Sequence, residues 1–399
     1  MSSSYQAQTP GEGPLAGVLV LDLAQARSGP TCVRQLVQLG ADAIQIWAPG
    51  RADLSGSDFA NMHYGKRSMV LDLRTKAGLA IFMKLAKRAD VLVENFRPQV
   101  KERLGIAPED LWKINPRLIY GSLSGYGQDG PNANRPGIDP IIQGYGGLMS
   151  VTGQPGTGPS RVGIAISDTA SGTFLAQAIL AALYARERTG KGQWVHTSLL
   201  ESMISMLDFQ ATKWLIDKVV PGQTGNQHPS FFPMGTFRTK DGFVNIGAPD
   251  FQRLCRRIGL HELADDPQYQ RSVDRVPHRE KLTAALEGVL MTKTTAEWIE
   301  DLKEDVPCGP VFSMDEVFTD AQVQHLNVTR NISHPKLGDV EVLRYPVSFS
   351  HMPIEAKSGV ETPGASTRAV LAEEGYSEAE IEQFIKDGVA ATSVDSKGW

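Results

Sequence analysis

Through the first third of the chain, short apolar runs alternate with segments of helical period. Val18–Leu23 reads as a buried strand, Pro30–Leu39 as a helix and Asp42–Trp47 as a strand. Ser68–Leu73 predicts another strand, Lys76–Lys87 a helix, and Val91–Glu94 and Leu118–Leu123 two further strands. Strands separated by helices imply right-handed crossovers and a parallel sheet covered on both faces. Ligands of such sheets bind beyond the carboxyl ends of the strands. Farther on, the segment from about Thr169 to Arg188 is rich in Ala, Leu and Ile on nearly all sides, which predicts a deeply buried helix. Gly190-Lys191-Gly192-Gln193 breaks it, Trp194–Leu199 reads as a strand, and Glu201–Val219 reads as a second long helix.

The loop Pro221–Pro233 is crowded with Gly, Pro, Asn and His and marks a domain boundary. Beyond it, Gly235–Arg238 and Phe243–Gly247 flank an Asp241-Gly242 turn, a hairpin signature. Phe251–Gly259, Arg279–Leu290 and Thr295–Leu302 are helical in period, and Val340–Ser350 reads as strands. Leu371–Gly375 and Ser377–Asp387 close the chain as a helical pair, with Ser377 as a cap. The expected division is a large α/β domain over 1–220, a smaller α+β domain over 221–330, and a segment 331–399 returning to the first.

Composition narrows the class. A formal charge of −5, with no basic run interleaved with aromatics, disfavours nucleic acid as a partner. Asp168, Thr169, Ser171 and Gln177 interrupt Ile164–Leu183, the nearest approach to a membrane span, so no membrane partner is expected. The polar stretch Met1–Gly13 lacks a signal design, and Cys32, Cys255 and Cys308 are odd in number and far apart. Reduced thiols in the cytoplasm are the expectation. The histidines and cysteines show no metal-ligand spacing, so no metal site is expected.

The chemistry concentrates between Tyr120 and Gly172. Asp168 directly precedes the long apolar helix, where Asp is a preferred N-cap. The same position keeps a carboxylate ionised and oriented, which makes it a candidate nucleophile. Asp139, in Asp139-Pro140, is either a turn residue or a carboxylate that orients a partner. Arg27, Arg97, Arg103, Arg135 and Arg161 are candidate anion ligands, against the duller reading of solvated surface charge. His228 either reaches a substrate or lies on a surface loop, and Gly222–Asn226 is a lid or a connector. Cys32 is either a helix-start thiol of lowered pKa or a small core residue. Ala24–Pro30 follows the first strand without a Gly-x-Gly-x-x-Gly fingerprint, so NAD is disfavoured.

An ordered set of segments resembles the class III CoA-transferases, the CaiB/BaiF family that includes formyl-CoA transferase. The set comprises Gly17–Leu23, Gly29-Pro30, Leu39–Asp42, Lys66–Ser68, Asp90–Pro98, Leu104-Gly105, Ile119–Gly127, Gly190–Gln193 and Val306–Val311. The resemblance implies a Rossmann-like doubly wound large domain with a smaller domain, in an interlocked homodimer. It matches Asp168 to a catalytic aspartate that passes through acyl anhydride and aspartyl-CoA thioester intermediates. It places CoA contacts at Leu71–Arg74, Asn95-Phe96 and Arg103, and at the strand end on Arg51. Arg27 stands near the acyl group where formyl-CoA transferase carries Gln, and the glycine loop of that enzyme is replaced near Gly222–His228. Formate and oxalate are therefore disfavoured, and a distal carboxylate paired with Arg27 points to dicarboxylates such as succinate. CoA enters as a substrate, with no permanently bound cofactor expected. The racemase branch of the fold is the alternative, but it carries His where this chain has Ile138. A non-catalytic CoA-binding dimer is the third reading.

Overall fold

The structure, a computed structural model, describes residues 13–50, 56–351 and 359–393. It divides into two compact units, one formed by Met1–Leu148, Val162–Thr212 and Asn327–Trp399, the other by Met149–Arg161 and Lys213–Leu326. The strands of the first unit are β1 (Leu19–Asp22), β2 (Asp42–Trp47), β3 (Arg67–Leu71), β4 (Val91–Glu94), β5 (Ile119–Ser124) and β6 (Trp194–Ser198). The helices in order are α1 (Ser28–Gln38), α2 (Gly56–His63), α3 (Lys76–Arg88), α4 (Pro98–Leu104), α5 (Pro108–Trp112), α6 (Asp139–Tyr145) and α7 (Leu148–Val151). They continue as α8 (Ile166–Thr189), α9 (Leu199–Met206) and α10 (Phe209–Asp217).

The first unit is built on a seven-stranded sheet whose strands run in the order Ala390–Ala391, β3, β2, β1, β4, β5, β6. β1 to β6 pair in parallel, and Ala390–Ala391 adds an antiparallel edge to β3. Successive side chains of a strand face opposite sides. Val20, Ala43, Val91 and Val93 therefore pack with Val33 and Leu36 of α1 and with Leu175 and Ile179 of α8. Leu21, Ile44, Ile46 and Leu92 pack on the other side with Ile81, Phe82 and Leu85 of α3. The strand order reverses between β1 and β4, which opens a crevice at their carboxyl ends.

Several boundaries differ from the sequence expectation. α8 begins at Ile166, three residues early, because Ala165 already serves as N-cap without a side-chain bond. It is buried along one stripe only, through Ser167, Ser171, Leu175, Ile179 and Leu183, while Tyr184 is 70% exposed. By length and composition it also passes as a membrane-crossing helix, which the interrupting polar residues were expected to prevent, but its buried stripe lies against the sheet. The helix expected over Glu201–Val219 is two helices, α9 and α10, because Asp208 takes a left-handed φ of 43°. The strand reading near Val340 resolves into a hairpin of Thr329–His334 with Gly338–Leu343. Ser377 caps the last helix in a reciprocal box with Glu380.

In the second unit, β7 (Met234–Arg238), β8 (Phe243–Gly247) and β9 (Cys308–Pro310) form an antiparallel sheet in that order. Asp241-Gly242 makes the turn between the first two. Phe237, Val244 and Ile246 pack with Phe251, Leu282, Leu286 and Trp298 from the surrounding helices.

Candidate active site

Asp168 sits in the first turn of α8, so its carboxylate lies where the free N–H groups and positive dipole end favour negative charge. It is not the N-cap. Its side chain bonds Ser28, the first residue of α1. Two helix N-termini thus converge on one carboxyl group. Their approach depends on Gly172: a Cβ there would lie 2.4 Å from the Ser28 carbonyl oxygen.

The electrostatics oppose one another. Burial and the nearby charge of Asp139 push Asp168 up to about 6 from an ordinary 3.8, while Arg27 and the Ser28 bond pull it down. Asp139 begins α6 and is 4% exposed. Its Oδ1 accepts from the Ser167 backbone N–H at 3.0 Å and the Ser167 hydroxyl at 2.8 Å, and its Oδ2 accepts from Gln143 Nε2 at 2.7 Å. Asp139 therefore anchors the residue next to Asp168. Of the two sequence readings of Asp139, the geometry is that of an orienting carboxylate.

The loop after β1 brings the remaining charge. Ala26 holds a left-handed φ of 60°, and Arg27 follows it as the N-cap of α1. Arg27 Nη2 donates to Asp58 Oδ2 of α2 at 2.6 Å. Asn95 bonds this loop through both ends of its amide: Oδ1 accepts from Gln25 N–H at 2.9 Å, and Nδ2 donates to Gln25 O at 2.6 Å. Beneath the loop, Lys66 and Asp22 form a fully buried ion pair at 2.8 Å, with burial holding the lysine below its usual range. The Cys32 thiol is fully buried, and burial and the Asp22 charge raise its pKa, so the core reading stands and the lowered-pKa reading does not.

The other expected contacts are spread along the strand ends. Leu71 is buried in the sheet core, and Arg74 pairs with Asp72 at 2.7 Å on the surface. The Phe96 N–H donates to Glu94 Oε2 at 2.6 Å, and Phe96 packs beside the core. Arg103 is exposed on α4, and Arg51 lies outside the described residues. His228 belongs to the second unit, where its Nδ1 accepts from the Ser230 and Phe231 N–H groups at 3.1 and 3.2 Å. Burial and Arg279 hold its pKa below the usual histidine range. It lines an open cleft of about 510 Å³ with Asn226, Asn245, Ile246 and Cys308.

Ser28, Ser167 and Gln143 escaped the sequence reading. A serine beside an aspartate or at a helix start is too common to single out, and only the fold brings Ser28 to Asp168. Gln143 carried one signal, its spacing of four residues from Asp139 on one helix face.

The comparisons follow this geometry. The family model "CoA-transferase family III" matches residues 15–366. The succinyl-CoA:glutarate CoA-transferase of Mus musculus is 34% identical over 94% of this chain and 90% of its own length. The acetyl-CoA:oxalate CoA-transferase of Acetobacter aceti is 40% identical over 76% of this chain and 82% of its own. A solved CaiB/BaiF family protein from Brucella suis superposes with a TM-score of 0.82 at 33% identity, covering 91% of this chain and all of that one. With a matching doubly wound sheet and a match over nearly its whole length, this chain belongs to CoA-transferase family III, the class III CoA-transferases.

Proposed function

We propose that this enzyme moves CoA from an acyl-CoA donor to a small dicarboxylic acid, with Asp168 as nucleophile. The carrying observation is the Asp168 carboxyl itself, partly dehydrated at two helix N-termini and bonded to Ser28. A carboxylate raised to about 6 is mostly ionised at neutral pH yet more basic than an exposed aspartate. One Asp168 oxygen attacks the thioester carbonyl, the C–S bond breaks, and the CoA thiolate leaves with its electron pair. The thiolate then attacks the Asp168 side of the mixed anhydride, giving aspartyl-CoA thioester and releasing the donor acid. The acceptor carboxylate displaces the thiolate to form a second anhydride. Attack of the thiolate on the acceptor side yields the new acyl-CoA and restores Asp168. N–H groups of the two helix starts supply the dipolar environment for the oxyanions.

Arg27 supports the dicarboxylate reading. It is 35% exposed, close enough to act on Asp168, and a guanidinium suits a second carboxylate. The relatives named for glutarate and oxalate both act on dicarboxylates, and the oxalate enzyme returns oxalate to the candidates that the sequence disfavoured. CoA is a substrate on this reading, with contacts along Leu71–Arg74 and at Phe96, Arg103 and Arg51, and His228 is a candidate for binding substrate. A cytoplasmic homodimer is part of the reading. The apolar residues Leu215, Ile216 and Val220, each more than 60% exposed, support a second copy as partner.

The test is hydroxylamine trapping after incubation with succinyl-CoA, read by mass spectrometry, with a kinetic screen of mono- and dicarboxylic acceptors. A hydroxamate at Asp168 and a preference for dicarboxylates are expected. Turnover without modification of Asp168 refutes the mechanism, and equal rates with both acid classes refute the role of Arg27.

A further inference from the structure

The loop Leu23–Gly29 delivers both Arg27 and Ser28 to Asp168, so whatever fixes that loop also fixes the nucleophile's surroundings. Its own sequence offers little: Ala24, Ala26 and Gly29 carry no polar side chain, and Ala26 holds a left-handed φ. The fastening comes from outside. At its start, Ala24 N–H donates to Asp22 Oδ1 at 2.9 Å, and the Leu23 N–H donates to Val93 O at 2.9 Å. At its middle, Asn95 pairs with the N–H and C=O of Gln25, as a strand residue would. Gly29 packs so closely on the loop that a Cβ would fall 2.2 Å from the Ala24 Cβ.

Asn95 is itself held. The preceding Glu94 is fully buried, and its Oε2 accepts from the Phe96 N–H on the far side of Asn95 at 2.6 Å. Its Oε1 takes the Ser122 hydroxyl at 2.5 Å and Lys101 Nζ at 3.3 Å. Trp194 completes the set: its indole N–H donates to Ser122 Oγ at 2.8 Å, and its ring lies 4.8 Å from Lys101 Nζ. A buried carboxylate and ammonium with this many bonds fix a backbone more tightly than a turn does alone.

We infer that Asn95 is a positioning residue that clamps the Arg27–Ser28 loop against Asp168, with buried Glu94 and Lys101 as its footing, rather than a hydrogen-bonding ligand of CoA. Each end of its amide is engaged by Gln25, which turns the side chain toward the loop. The inference rests on the reading of Asp168 as nucleophile.

Asn95→Ala and Asn95→Ser are the variants, assayed for kcat and KM over pH 5–8 with succinyl-CoA and glutarate. Thermal midpoints are measured alongside, so that a fold effect is seen separately. Loosening the loop frees Arg27 and Ser28, the two influences that hold the Asp168 midpoint down. The pH–rate midpoint should rise by half a unit or more, kcat at pH 7 should fall at least tenfold, and KM for succinyl-CoA should change less than twofold. A tenfold rise in that KM with an unmoved midpoint makes Asn95 a CoA ligand and overturns the inference. Hydroxylamine trapping on the unsubstituted enzyme separates the two levels. Without an adduct at Asp168, the nucleophile reading and this inference fall together. With the adduct present, only the clamp is at stake.

Discussion

Replacing Asp168 by Asn should abolish transfer and stabilise the protein. The proposed nucleophile is held where its charge is unwelcome: burial and Asp139 raise it to about 6, against an ordinary 3.8. That difference corresponds to roughly 3 kcal/mol at neutral pH, at 1.36 kcal/mol per pH unit. An amide keeps the shape and a hydrogen-bonding partner for Ser28 without the charge. The sign follows from proton linkage. Below pH 3.8 the carboxyl is protonated in folded and unfolded chains alike, and the variant has no advantage. Between 3.8 and about 6 the folded enzyme keeps a proton that the unfolded chain releases, so wild-type stability falls as pH rises. Above about 6 the full penalty stands. Thermal denaturation of both proteins at pH 4 and 7.5 checks this. Their midpoints should nearly coincide at pH 4, and the variant should melt higher by roughly 3–5 °C at pH 7.5. A difference that does not change with pH, or a less stable variant at pH 7.5, refutes the claim that the site stores electrostatic strain.

The enzyme's kcat/KM should rise with pH through a midpoint near 6, as Asp168 ionises, and a profile flat between pH 5 and 7.5 contradicts this. Asp139→Asn removes the neighbouring negative charge, so the midpoint should shift to lower pH; an upward shift would mean that the anchor to Ser167 outweighs the charge. Arg27→Met should move the midpoint up and erase the preference for dicarboxylates, read as the ratio of kcat/KM for glutarate to that for a monocarboxylate of equal length. Gly172→Val places side-chain carbon against the Ser28 backbone and Thr31, so α1 and α8 must part. Urea denaturation should show a loss of about 1–3 kcal/mol, with kcat falling as the two helix starts separate.

The alternation of apolar runs and helical periods was enough to predict a parallel α/β sheet, because buried strands and their covering helices impose different periods on the same chain. Asp42–Trp47 and Val91–Glu94 were legible to the residue for that reason. Asp168 was legible as a carboxylate at the head of an apolar helix. The break at Asp208 was not, since one left-handed residue leaves no mark in hydrophobic period. Nor was the exposed face of α8, because a helix apolar on all sides does not say which side the sheet covers.

What the chain alone determined, then, is the succession of the six parallel strands and the residue that bears the charge. What only the tertiary structure decided is that residue's chemistry. Ser28, Asp139 and Asn95 lie 140, 29 and 73 positions from Asp168, and the crossovers of the sheet bring their influences to one strand-end crevice. A carboxyl group's proton affinity and aim depend on the charges, donors and water around it, and those neighbours are fixed in space rather than in sequence.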